Sequence, residues 1–148
     1  MVFQNDEGLN KNIRASGCYF LSLLYIAQIE NNYEYTVGSI NSFYKYCVRQ
    51  GYIDKTCTII KPDNILNHLL KDDKKIYQIG VIQDGESTYW GWVRNYHYDW
   101  VILQHETNSS YGTHFTVVSP LQIEQYDSMK GKGYTSNKIT RSVLYQLQ

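Results

Sequence analysis

The sequence is short of several features that would announce a class. Two prolines and ten glycines are scattered through 148 residues. There is therefore no Pro- or Gly-rich linker, and one domain over residues 1–148 is expected. The three cysteines, Cys18, Cys47 and Cys57, are an odd number without a close C-x-x-C pair. That excludes a zinc pattern and a disulfide framework, and it leaves at least one thiol free. Fourteen basic residues balance fourteen acidic ones, so no general attraction to nucleic acid or to an anionic membrane is expected. No apolar run is long enough to span a bilayer, and Met1 to Glu7 lacks the basic and apolar order of a signal peptide. A cytoplasmic location is the default expectation, with release by lysis or in a virion as the alternative.

What is present is the composition of a globular domain. Apolar residues make up 43% and charged residues 19%, enough to bury one sizeable core. Fifteen tyrosines accompany many asparagines; AT-rich codon usage accounts for both.

Residues 1–16 are polar and read as mostly loop. From Cys18 to about Glu30, Tyr19, Leu23, Leu24, Ile26 and Ala27 fall at helical spacing. Thr36 is an N-cap candidate for a second helix carrying Ile40, Phe43, Tyr44, Cys47 and Val48, with Gly51 at its C-terminal stop. Residues 57–60 are β-prone. Pro62 opens a third helix buried through Ile65, Leu66, Leu69 and Leu70, with His68 beside that face and partly buried. Then the period changes. Strands are expected over 76–82, 100–104 and 113–118, a return strand over 123–126, and one long strand or a strand pair over 136–148. Helices first and an antiparallel sheet afterwards make the fold class α+β.

The chemistry centres on Ser16-Gly17-Cys18. A cysteine opening a helix lies where unpaired N–H groups and the macrodipole favour a thiolate. Of the four histidines, only His114 begins a strong strand after a glycine-containing loop, where a base could face that helix terminus. A two-residue turn at Pro120-Leu121 would set His114 directly opposite Asp127, on one face of the sheet. Gln4 or Asn12 could donate to an oxyanion beside the Cys18 N–H, and spacing alone does not choose. The aromatic segment with Trp90, Trp92, His97 and Trp100 could line a substrate cleft, although core packing claims more of it. His97, His105, His114 and Asp99 follow no zinc template. Lys130, Lys132, Lys138 and Arg141 read as a solvated basic edge.

Taken in order, Gln4-Asn5-Asp6, Ser16-Gly17-Cys18, His114-Phe115-Thr116-Val117-Val118 and Tyr126-Asp127 resemble the C-thirty-nine-like cysteine peptidases. These are papain-fold relatives of the double-glycine leader peptidases, found in bacteria and phages. The resemblance implies a papain-like fold with N-terminal helices packed on an antiparallel sheet. It also implies Cys18 as nucleophile, His114 as base, Asp127 as its orienting group and Gln4, rather than Asn12, as oxyanion donor. The expected activity is hydrolysis of a peptide or amide bond, peptidoglycan stem peptides included, without a cofactor. In that family small residues follow Gly-Cys and a proline follows the Asp; here Tyr19-Phe20 and Ser128 stand there. The alternatives are a catalytically inactive binding protein on the same scaffold, acting as inhibitor or adaptor of a protein partner, and a structural virion module.

Overall fold

The structure, a computed structural model, describes residues 1–83, 97–107, 113–119, 123–130 and 139–148. Among the described residues, four helices precede five strands: α1 (Lys11–Ser16), α2 (Cys18–Asn31), α3 (Val37–Gln50), α4 (Pro62–Leu69), β1 (Ile76–Gln83), β2 (Trp100–Glu106), β3 (Thr113–Val118), β4 (Glu124–Asp127) and β5 (Ile139–Leu147). All strand pairs are antiparallel, in the order β1-β5-β2-β3-β4. The fold is α+β. Among the described residues, no helix is long and apolar enough to cross a membrane.

Helix α2 is the axis of the molecule. Its residues from Cys18 to Leu24 are all buried, as are Ile26, Ala27 and Gln28. A helix buried around most of its circumference must be enclosed on several sides. Phe20 meets Phe43 and Tyr44 of α3, Tyr19 meets Phe115 of β3, and Tyr25 stacks on Tyr126 of β4. Helix α3 carries the anticipated ends. Thr36 and Ser39 form a capping box, and Gly51 closes the helix at φ 74°, a conformation that costs glycine little. Cys47 is fully buried on its inner face.

The sheet is apolar on both faces. Ile102, Val117, Val143 and Tyr145 join the helical core, while Ile82, Val101, Leu103, Val118 and Leu144 form a second cluster. Two-sided burial explains why β2 opens on a continuous apolar run, Trp100 to Leu103, rather than an alternating one.

Residues 1–16 are mostly loop, and the short α1 within them hides only Ile13 and is too short for a periodic signal. Two expectations need correction. Residues 57–60 form no strand beyond a bridge between Ile53 and Ile59. Asp54 Oδ1 instead accepts from the N–H groups of Thr56 and Thr58, and Cys57 adopts φ 61°. His68 is exposed rather than half-buried, its ring lying against Tyr46 and Phe43. Of the two alternatives for the C-terminal segment, its described residues form one strand, β5, inserted between β1 and β2.

Candidate active site

Gly17 sets the position of Cys18. It is at once the C-cap of α1, its N–H donating to the Ile13 carbonyl at 2.7 Å, and the N-cap of α2, its carbonyl accepting from Leu21 at 2.8 Å. A Cβ at Gly17 would lie 2.5 Å from Ile13 Cγ2 and 2.6 Å from its carbonyl oxygen. Only glycine lets the two helices join this closely. Cys18 is therefore the first residue of α2, where backbone N–H groups have no partner within the helix. The Ser22 hydroxyl donates back to the Cys18 carbonyl at 2.7 Å.

His114 is the second residue of β3. Its Nε2 lies 2.6 Å from Asp127 Oδ1, and both side chains are almost wholly buried. Asp127 Oδ1 also accepts from the Met129 N–H at 2.9 Å, which fixes the carboxylate. The Cys18 thiol lies in the same cleft and close enough to act on the His114 ring. With Nε2 committed to Asp127, Nδ1 is the ring nitrogen available to sulfur. Burial depresses the His114 pKa. The hydrogen bonds to Asp127 and Cys18 and their negative charges outweigh it and hold the imidazole up at about 9.

The pair is brought together by a route other than direct opposition. Asp127 stands opposite Thr116, and Tyr126 opposite Val117. The ladder then shifts, so that Val118 faces Glu124. A turn longer than two residues and a bulge on β4 move the register by two places. A shift of two keeps both side chains on one face, and the diagonal neighbour remains in reach. Pro120 and Leu121 themselves lie outside the described residues.

Gln4 is held next to this pair. Its N–H donates to the Ser128 carbonyl at 2.9 Å, and Ser128 Oγ donates to its Oε1 at 2.9 Å. Gln4 Nε2 donates to the Arg14 carbonyl at 3.1 Å, one of the carbonyls left open at the end of α1. That uses one of the two amide hydrogens. Asp6 closes the supporting turn by accepting from the Phe3 N–H at 2.9 Å. Tyr126 Oη donates to the Val2 carbonyl at 2.7 Å and ties the same segment to β4.

Gln4, Cys18 and His114 line one cleft of about 730 Å³, together with Tyr19, Phe115 and the 56–60 loop. Asn12 does not line it; its Nδ2 donates to Tyr44 Oη at 3.3 Å. His97 does not line it either, being exposed and 3.5 Å from Asp99. Trp90 and Trp92 lie outside the described residues. Trp100 packs on Tyr25 and donates from Nε1 to Glu30. Among the described residues, no three His, Cys, Asp or Glu side chains gather as a metal site requires.

The bulky residues after Cys18 turn inward. Phe20 is fully buried, and Tyr19 Oη is 2.6 Å from Tyr145 Oη. The other two thiols are poor nucleophiles. Burial pushes Cys47 up to about 12. Burial also pushes Cys57 up to about 11, against a Tyr44 hydrogen bond that lowers it.

Several neighbours carried no sequence signal. Ser128 holds Gln4 but follows Asp127 in an ordinary turn. His105 faces His114 across β2 and β3, and its Nε2 is 2.8 Å from Thr116 Oγ1. Arg141 lines the cleft instead of forming a solvated edge. No curated protein and no solved structure matches the chain. One family model does match, over residues 1–145, and it describes a protein of unknown function, DUF261. The match takes in Gln4, Cys18, His114 and Asp127, and on it the chain belongs to the DUF261 family.

Proposed function

We propose that the chain is a cysteine peptidase or amidase of papain-like fold, acting through Cys18, His114 and Asp127 with Gln4 as oxyanion donor. The observation that carries this reading is the buried His114–Asp127 pair at 2.6 Å in the cleft that Cys18 lines at the start of its helix. A histidine held at about 9 is an imidazolium at neutral pH, the partner a thiolate needs. The C-thirty-nine-like resemblance supports the same four residues in the same order.

The thiolate attacks an amide carbonyl in the cleft, and charge moves onto the carbonyl oxygen. The Cys18 N–H and the second hydrogen of Gln4 Nε2 stabilise that oxygen. The His114 imidazolium gives its proton to the leaving amine. Neutral His114 then takes a proton from water, and hydroxide attack on the thioester releases the acid and restores Cys18. Asp127 keeps the ring oriented and stabilises its charged form throughout.

The test is differential alkylation read by mass spectrometry. At neutral pH iodoacetamide is expected to modify Cys18 at least tenfold faster than Cys47 or Cys57, a factor of about 1.4 kcal/mol. Equal rates would sink the activated thiol and favour the inactive binding protein. A peptide and peptidoglycan-fragment library, digested by wild type and by Cys18→Ala, then identifies the bond cut.

A further inference from the structure

Among the described lining residues, Arg141 is the one charged side chain in the cleft besides His114. It sits on β5, opposite Gln104 of β2 and Gln83 of β1. Its guanidinium carbon lies 5.7 Å from the Phe115 ring centroid. Phe115 in turn meets Tyr19 edge to face at 4.7 Å. Arg141, Phe115 and Tyr19 line the same cleft as Cys18 and His114.

Among the described residues, Arg141 lacks an acidic partner. Its Nε is buried and makes no hydrogen bond among the described residues. No described carboxylate stands within 4.0 Å of it. Asp63, the acid of that neighbourhood, accepts from the Gln78 N–H at 2.8 Å instead. A half-buried guanidinium with an idle donor is costly to keep unless something beyond the described residues completes it. Its planar fork matches a carboxylate in two places at once. The walls near it, Phe115, Val81 and Val143, are apolar, which strengthens such a pairing.

We propose that Arg141 is the anion-recognition residue of this cleft, so that the substrate carries a carboxylate close to the amide bond that is cut. The proposal rests on the hydrolase reading above and adds a substrate class to it. The carboxylate belongs either to an acidic side chain or to a chain terminus; the chemistry at Arg141 is the same.

Three thiol reagents of nearly equal size separate these sources. N-iodoacetylglutamine amide is neutral. N-iodoacetylglutamic acid α-amide carries a side-chain carboxylate, and N-iodoacetylglutamine carries a terminal one. At least one acidic reagent is expected to label Cys18 roughly three- to tenfold faster than the neutral one, the range for one partly shielded charge pair. Arg141→Gln should bring that ratio close to one, and Arg141→Lys should leave it in between. The acidic reagent that gains more names the source. A wild-type ratio of one, or a ratio unchanged in Arg141→Gln, would overturn the proposal. Equal slowing of all three reagents by Arg141→Gln would overturn it too, marking Arg141 as structural. The ratio can be measured at any absolute rate, and the wild-type ratio needs no variant to fold. The absolute rate at Cys18 against Cys47 tests the hydrolase reading separately.

Discussion

Two histidines face each other across β2 and β3 and are driven in opposite directions. His114 is held at about 9 because Asp127 and Cys18 outweigh its burial. His105 is pushed down to about 4, chiefly by burial and further by the positive charge of His114, against the pull of Asp127. Both rings are largely hidden, with 3% and 7% exposure. Burial is therefore common to the two, and the partner decides: a carboxylate for one, a hydroxyl for the other. The outcome is one imidazolium and one neutral imidazole side by side, the kind of divergence expected where a site assigns acid and base roles.

The comparison can be broken most severely at Asp127. In Asp127→Asn, His114 loses the group that holds its charge, and its titration, followed by NMR, should fall toward the ordinary 6.5. Hydrolysis should drop about 10²- to 10⁴-fold in kcat/KM on whichever substrate the library identifies. A titration that stays near 9 would mean that Cys18 alone supports the imidazolium.

Gly17→Ala leaves both histidines and Asp127 untouched and moves only Cys18. The new methyl meets Ile13 at 2.5 Å, so α1 and α2 must separate, at a cost of about 1–3 kcal/mol. The Cys18 labelling rate should fall with it while the His105 titration stays put. Unchanged denaturant stability would show that the helix junction is looser than its geometry.

Stability against pH sharpens the contrast further. A histidine raised above 6.5 binds its proton more tightly in the folded chain than in the unfolded one. Its contribution is complete below about 6.5 and is lost as pH rises through about 9. A histidine lowered to about 4 acts in the reverse sense, and stability falls as pH drops from about 6.5 through about 4. Thermal stability should be greatest near pH 6.5, with His114→Gln flattening the alkaline arm and His105→Gln the acid arm. An alkaline arm that survives in His114→Gln would assign it to another group.

The smallest effect is expected from Thr116→Val, which removes the 2.8 Å contact to His105 Nε2. The loss should be about 1–2 kcal/mol by chemical denaturation, with Cys18 labelling unchanged. A large fall in labelling would make His105 part of the working site.

Local signals were readable where they depend on local physics. The capping of α3 by Thr36 and Gly51, the start of α4 at Pro62 and the strand character of residues 76–83 and 113–118 follow from side chains within a few positions of each other. Cys18 at a helix start was legible for the same reason. The pairing of His114 with Asp127 was anticipated, but through direct opposition across a tight turn. In the folded chain the turn is longer and β4 is bulged; the contact survives because a shift by two preserves the face. Arg141 was misread as a solvated edge because neighbouring lysines in the sequence say nothing about which strand lies beside β5.

By itself, the order of residues determined the α+β class and the helix that presents Cys18. Those depend on hydrophobic period, caps and turn residues, which act over a few positions. Tertiary structure decided the insertion of β5 between β1 and β2, the seating of Gln4 rather than Asn12 in the cleft, the opposite charging of His105 and His114, and the presence of Arg141 in the same cleft as the thiol. Each of these is a matter of which distant groups become neighbours in a low-dielectric interior, and that is set by packing the whole chain at once.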